Sequence, residues 1–216
     1  MTFNFDVIDL FPSPVAGITL DYDFQELKKF ENYSLCNCNN SKKYHEINDE
    51  VKTNEVHFYI LDEFPTIKNY LTNVIRDLLN TTYGYKNKFI INTSWLTKML
   101  PDMEGRIHYH NGHSFSGVLY FDNYDDSSGS LNFYSPLSRI SRIDLEGDDR
   151  SYRTWKEFEI DPKKNLLLIF PSYLEHQIGM NYSTKNRYSL AFNILSTNFN
   201  NGDSEIDLEK IAKQMQ

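Results

Sequence analysis

Hydrophobic spacing divides this chain into a front part with helical character and a longer part that reads as strands. Between Pro65 and Leu79 the apolar positions are Ile67, Tyr70, Leu71, Val74, Ile75, Leu78 and Leu79. They fall on one face of a 3.6-residue repeat and predict an amphipathic helix, with Thr66 as a candidate cap near its start. Ahead of it, Phe5–Pro12 reads as an edge strand stopped by proline, Asp23–Tyr33 as a short helix and Cys36–Asn54 as a polar loop. From residue 88 the pattern changes. Lys88–Leu100 is rich in β-branched and aromatic residues, and strand-length segments follow at Arg106–His110, Phe115–Phe121, Ser130–Tyr134, Trp155–Ile160, Leu166–Phe170 and Tyr188–Leu195. Turn residues punctuate the gaps, among them Pro101-Asp102, Asn111-Gly112, Asp125–Gly129, Asp161-Pro162 and Asn181–Asn186. Short strands spaced in this way predict a sandwich or barrel. The continuous apolar run Leu166–Pro171 predicts a strand buried on both faces. Ser135–Tyr152 reads as a polar insertion, a flap beside whatever site the strands build, and Ser204–Gln216 as a short amphipathic tail helix.

Composition narrows the class. The 216 residues fit one decorated domain, and 40% hydrophobic content with 15 Tyr and 15 Phe is ample for one core. We divide it into a supporting region (1–87), a β core (88–196) and a tail (197–216). No apolar run is long enough to span a bilayer, and the N-terminus lacks the basic start and apolar stretch of a signal peptide, so a cytoplasmic protein is expected. The net charge of −8 argues against sequence-independent nucleic-acid binding. Arg139, Arg142, Arg150 and Arg153 are read as a solvated loop rather than a basic patch. The only cysteines, Cys36 and Cys38, are too close for an ordinary structural disulfide and lack the second pair a zinc site needs; they read as reduced thiols.

Three of the six histidines fall in Arg106-Ile107-His108-Tyr109-His110-Asn111-Gly112-His113. Histidines two apart on a strand project to one face, and imidazole is the commonest neutral metal ligand near pH 7. Histidines on exposed loops are common, so the triplet carries little by itself. His176 adds weight, because it follows the buried run Leu166–Pro171. Strand ends in a β barrel meet at its mouth, a preferred place for small-molecule sites, so His108, His110 and His176 are candidate ligands of one ion. His113 lies past the turn. It could ligate, orient a ligating ring from behind, or simply cap a loop.

Arg187 follows the Met180–Asn186 turn and is expected to begin a neighbouring strand, with Ser189 on the same face. A guanidinium directed into a barrel needs an anion, since a buried unpaired charge is costly; the fork matches a carboxylate, and the serine hydroxyl adds a donor. The other reading pairs Arg187 with Glu175 at the surface, and the sequence leaves both open.

The ordered set His-x-His, Ser116-Gly117-Val118-Leu119-Tyr120-Phe121, Gly129-Ser130-Leu131-Asn132-Phe133, Leu168-Ile169-Phe170-Pro171-Ser172 before a histidine, and Arg187-Tyr188-Ser189-Leu190-Ala191-Phe192-Asn193 resembles the 2-oxoglutarate- and Fe(II)-dependent oxygenases, in particular a subgroup of bacteria and marine phages. Leu10-Phe11-Pro12-Ser13-Pro14 and Ser94-Trp95 look like that subgroup too. The resemblance implies a mainly β fold with flanking helices around a double-stranded β-helix (jelly-roll, cupin-like) core. It implies Fe(II) held by His108, His110 and His176, and 2-oxoglutarate held through its far carboxylate by Arg187 and Ser189, with Tyr120 a weaker candidate. It implies a dioxygenase that converts 2-oxoglutarate and O2 to succinate and CO2 while hydroxylating an unknown substrate, in the cytoplasm or, for a phage-encoded chain, the host cytoplasm. An oligomer is compatible with this reading.

One departure from the general pattern is plain: His110 stands where most of these enzymes have Asp or Glu, leaving the ligand set uncharged and tolerant of zinc, copper or nickel. Phe115, Phe121, Phe133, Phe170 and Phe192 are candidates for an apolar wall, and core packing accounts for them equally well. Two other readings compete. A cupin-type metal protein that does not use 2-oxoglutarate fits His108-x-His110 and His176, but the glutamate expected shortly after the pair is replaced by Ser114 and Phe115. A binding or structural jelly roll with incidental histidines predicts no metal at all.

Overall fold

The computed structural model describes residues 12–30, 59–136, 156–201 and 204–207. Strand β1 (Ala16–Thr19) and two 3-10 turns (Gln25–Phe30 and Ile60–Glu63) precede helix α1 (Pro65–Asp77), which ends in a π turn over Leu78–Thr82. Then come β2 (Phe89–Met99), β3 (Phe115–Tyr120), β4 (Leu131–Tyr134), β5 (Glu157–Ile160), β6 (Leu166–Pro171), β7 (His176–Ile178), β8 (Arg187–Ser196), β9 (Asn198–Asn201) and β10 (Ser204–Asp207). The helix lies where its periodicity puts it. Thr66 does not cap it: Phe64 holds the cap position without a side-chain hydrogen bond, because Pro65 already occupies the first turn.

The strands form a five-stranded antiparallel sheet in the order β1-β6-β3-β8-β2 and a three-stranded sheet in the order β5-β4-β7. This is the two-sheet jelly roll. The large sheet is buried on both faces, as the unbroken burial of β3 and of β6 after its first residue shows. One face carries Leu119, Leu167, Ile169, Leu190, Phe192 and Ile194 against Ile67, Leu71 and Ile75 of α1. Each such side chain contributes about 1.5–3 kcal/mol relative to leaving it in water. The other face carries Val118, Tyr120, Leu168 and Phe170 toward Leu131 and Phe133 of the small sheet.

Several sequence expectations shift. Arg106–His110 is not a regular strand: its backbone donates from Gly105 to Ile178 (2.8 Å), from His108 to His176 (2.9 Å) and from His110 to Ser172 (2.9 Å). The uneven steps between donors and acceptors leave only His108 in a ladder position. Ser204–Asp207, the start of the expected tail helix, pairs instead with β9 as a strand, with Ile206 opposite Phe199, so its backbone groups are met across the ladder. Asp23–Tyr33 is a 3-10 turn as far as it is described. Phe5–Phe11, Cys36–Asn54, the four-arginine loop, residues 137–152 and the end of the tail lie outside the described residues.

β2 and β8 pair over their whole length with one irregularity, between Ile91 and Thr93. This bulge at Asn92 lets Phe89 and Ile91 face α1 while Thr93, Trp95 and Thr97 face the space between the sheets. At the centre of the large sheet, a Cβ placed on Gly117 would lie 2.4 Å from the Phe192 ring. Gly117→Ala is expected to lower the unfolding free energy by about 1–3 kcal/mol through this clash; urea denaturation checks it, and wild-type stability in the variant would contradict the packing described.

Candidate metal centre

β6 ends in a tight turn (Leu174 N–H to Pro171 O, 3.0 Å), and the chain returns as β7 starting at His176. One edge of β7 pairs with β4, placing His176 opposite Phe133. Its other edge takes the 105–110 segment, with His108 and His176 exchanging both backbone hydrogen bonds at 2.9 Å. Two distant stretches of sequence are thereby pinned side by side. One ligand atom from each of His108, His110 and His176 lies within 4.8 Å of the others. The ring centroids are 4.3 Å apart for His108 and His176, 5.0 Å for His108 and His110, and 5.2 Å for His110 and His176.

The hydrogen bonds fix two tautomers. His176 Nδ1 lies 2.8 Å from Leu174 O and His108 Nδ1 lies 2.8 Å from Arg106 O. A carbonyl only accepts, so each Nδ1 carries the hydrogen and each Nε2 lone pair is free. Burial, reinforced by the neighbouring His108, pushes the His176 imidazole down to about 3. Burial, with His108 and then His113, pushes His110 down to about 4. Both rings are therefore neutral near pH 7, the state a metal requires. Exposure grades from His176 (buried) through His110 to His108 (exposed), so the cluster has a closed side and an open one. Uncharged nitrogen donors of this kind fit a divalent first-row ion. His113 stands apart: its Nε2 is 3.3 Å from Asn92 Nδ2 in the bulge.

The three rings line a cavity of about 510 Å³ between the sheets. Its wall on the large sheet follows the period of two: Thr93, Trp95 and Thr97 of β2, Ser116, Val118 and Tyr120 of β3, and Arg187, Ser189, Ala191 and Asn193 of β8. Arg187 begins its strand and is only 2% exposed. β8 lies in the large sheet, not beside β7, so Arg187 approaches the histidines across the cavity. Its Nη2 donates to Tyr120 Oη at 3.2 Å, and its carbon centre sits 5.1 Å from the Tyr120 ring centroid. Nε and Nη1 are buried with no hydrogen-bond partner among the described residues. The inward orientation, not the surface pair with Glu175, is what the fold shows. Ser189 is 1% exposed and lies opposite Thr97. Burial raises the Tyr120 pKa against the opposing pull of Arg187. The phenol stays protonated, and its own hydrogen remains available as a further donor.

Sequence reasoning missed Trp95, whose ring centroid is 5.7 Å from that of His110, and Thr97 on the Arg187 side. The alternation Thr93-Trp95-Thr97 was a signal, but the bulge at Asn92 hides its phase. It also missed Asn181, which receives Ser183 Oγ–H at 2.7 Å and donates to Met99 O and Lys185 O at 3.2 and 2.9 Å, fixing the turn ahead of Arg187. Of the expected apolar wall, Phe170 lines the cavity, and its ring centroid is 4.8 Å from that of His176. Phe133 stands behind that histidine at 6.2 Å. Phe115 and Phe121 face α1 on the other side of the sheet, and Phe192 also packs there, reaching the cavity only beside Gly117. No helix among the described residues is long and apolar enough to cross a membrane.

Comparisons with known proteins bear on this geometry. Residues 93–193, from the bulge in β2 to the inner half of β8, match the family described as "Putative 2OG-Fe(II) oxygenase". No curated protein matches the chain. Among solved structures, the non-heme alpha ketoglutarate dependent carbocyclase SnoK from nogalamycin biosynthesis shares the fold, at a TM-score of 0.55 and 9% identity over 86% of this chain and 81% of its own. A 2OG-Fe(II) oxygenase family oxidoreductase from Burkholderia pseudomallei aligns at 0.42 and 14% identity over 57% of this chain and 55% of its own. A Pseudomonas putida prolyl-4-hydroxylase aligns at 0.43 and 14% identity over 61% and 64%. The chain spans less than two thirds of the length of these last two.

A guanidinium with two unsatisfied nitrogens is a burden on the ligand-free fold. Arg187→Met, similar in reach and uncharged, is expected to raise the unfolding free energy by about 1–3 kcal/mol. Chemical denaturation without ligands checks this, and a clear loss of stability would mean that Arg187 is already paired.

Proposed function

We propose that this chain, whose residues 93–193 match the 2OG-Fe(II) oxygenase family, acts as one oxygenase domain, a 2-oxoglutarate- and Fe(II)-dependent dioxygenase that hydroxylates a small or exposed C–H-bearing substrate. The observation that carries the reading is the pairing, in one cavity, of three clustered imidazoles with a buried arginine lacking an anion. His108, His110 and His176 would hold Fe(II). Arg187, Ser189 and Tyr120 would hold the far carboxylate of 2-oxoglutarate. Together, the bound ion and the 2-oxo acid supply O2 activation, coupling loss of CO2 and formation of succinate to oxidation of a C–H bond.

The protein's own part is positioning. The carbonyls of Leu174 and Arg106 hold two imidazoles by their Nδ1 hydrogens, so that each offers Nε2 to the ion. The unspent Nε and Nη1 hydrogens of Arg187 are donors that a carboxylate accepts, and the desolvated site strengthens that pairing. Tyr120 contributes its phenolic hydrogen and, stacked against the guanidinium, keeps it from swinging away. Trp95, Val118, Phe170 and Ala191 give the middle of the cavity an apolar lining that keeps water from the reacting centre. His108 on the exposed side marks where substrate and O2 enter. We place the reaction in the cytoplasm, where the thiols of Cys36 and Cys38 stay reduced.

Two measurements test the reading. After anaerobic reconstitution with Fe(II) and 2-oxoglutarate, exposure to O2 should yield succinate above a metal-free control, and His176→Ala should lose both stoichiometric iron and succinate. Arg187→Met should weaken 2-oxoglutarate binding by at least roughly thirtyfold, the scale of an ion pair broken at one partner, while retaining metal. Succinate at wild-type rates from either variant would refute the assignment.

A further inference from the structure

The cavity has a second polar end, and its hydrogen bonds run in one direction. Along β8, Arg187 and Asn193 are six residues apart on the same face, roughly 20 Å at strand rise. At the Asn193 end, Ser116 Oγ–H donates to Asn193 Oδ1 at 2.9 Å. That uses the only hydrogen of Ser116, so the 2.8 Å contact between Ser172 and Ser116 must be donated by Ser172. Asn193 Nδ2 in turn donates to Thr93 Oγ1 at 3.0 Å. The chain of donors thus ends at Thr93, whose own hydroxyl hydrogen has no acceptor among the described residues, and the second Nδ2 hydrogen of Asn193 is likewise unspent there.

His113 ends the same way. Asn92 Nδ2 can only donate, so His113 Nε2 accepts it at 3.3 Å and the ring hydrogen sits on Nδ1. His113 Nδ1 is buried with no hydrogen-bond partner among the described residues. Thr93, His113, Ser116 and Asn193 all line the cavity that holds the histidine cluster. The lining includes no Asp, Glu or Lys among the described residues; its only cations are Arg187 at the far end and the exposed Arg106. This end therefore offers several unspent donors and no counter-charge. A carboxylate buried here would stay uncompensated, whereas a neutral carbonyl oxygen would satisfy the donors without bringing a charge.

We propose that Thr93, Asn193 and His113 form a subsite that binds an uncharged carbonyl group, amide-like in its chemistry, of the primary substrate. The carbon to be oxidised then lies along the apolar stretch of Trp95, Ala191 and Phe170, beside the imidazoles. The inference rests on the oxygenase reading only in assigning the Arg187 end to the cosubstrate; the donor inventory stands without it. The bulge at Asn92 has a definite role here: it turns Thr93 into the cavity and sets Asn92 against His113 Nε2, which leaves the ring hydrogen on Nδ1.

The test uses the full chain with 15N-labelled histidine, with and without Zn(II) and 2-oxoglutarate, titrated with 2-pyrrolidinone as the neutral carbonyl probe and acetate as the charged one. 2-Pyrrolidinone should shift the His113 Nδ1–H signal saturably and bind more tightly than acetate. Thr93→Val and His113→Phe should each weaken it by roughly three- to tenfold, the scale of one donor lost, with 2-oxoglutarate affinity unchanged. No saturable shift, equal or tighter binding of acetate, or unaltered 2-pyrrolidinone affinity in both variants would overturn the subsite. A wild-type chain that binds 2-pyrrolidinone but not 2-oxoglutarate would bring down the oxygenase reading and leave the subsite standing.

Discussion

The candidate site depends on the backbone hydrogen bonds that tie the 105–110 segment to β7 and the turn before it, at their centre the pair that His108 and His176 exchange. Nothing local in sequence joins these residues. β7 is three residues long and is held on its other edge by β4. The 105–110 segment has no regular ladder and relies on that edge for its position. A closely spaced hydrogen-bonded pair fixes two backbones in both distance and register, so the imidazoles meet because their peptide groups already do. The side chains then need only turn, and the carbonyls two residues upstream set that turn.

The two faces of the large sheet divide the work of stability and chemistry. On the α1 side the sheet is aliphatic and aromatic, with many side chains at or near zero exposure. On the inner side, alternate positions of the same strands carry Thr97, Ser116, Tyr120, Arg187, Ser189 and Asn193. The inner face holds groups whose burial opposes folding, notably a guanidinium with unmet donors and imidazoles held neutral. The helix-backed face offsets them. A preorganised site of this kind costs stability when empty and repays it in ligand affinity.

Much of the fold was legible because the periodicities were clean. The helix, the doubly buried β6 and the phase of β8, with Arg187 and Ser189 facing one way, all follow from spacing alone. What escaped was set by neighbours rather than by sequence. β7 is too short to carry a pattern, and β1 is a strand only because β6 offers it an edge. Arg106–His110 has strand composition but bends away from a regular ladder. Phe115 and Phe121 alternate correctly within their own segment, yet only the position of α1 decides which side of the sheet they serve. For the site, the residue types were visible and their meeting was not. Whether Arg187 faced in or out could not be settled until β8 was placed opposite β2, nor could His113 be given a partner before the bulge at Asn92 was known.

That bulge has a consequence for how the chain can change over generations. β2 is in effect two half-strands of opposite phase, one committed to the helix and the other to the cavity, joined by a residue the ladder does not count. Removing that one residue would turn either half inside out, exposing Phe89 and Ile91 to the cavity or burying threonines under the helix. Substitutions on the inner half, by contrast, leave the outer half's phase untouched. The strand's length is therefore frozen while single replacements leave its phase intact, so insertions and deletions should be rarer across this joint than amino-acid replacements beside it.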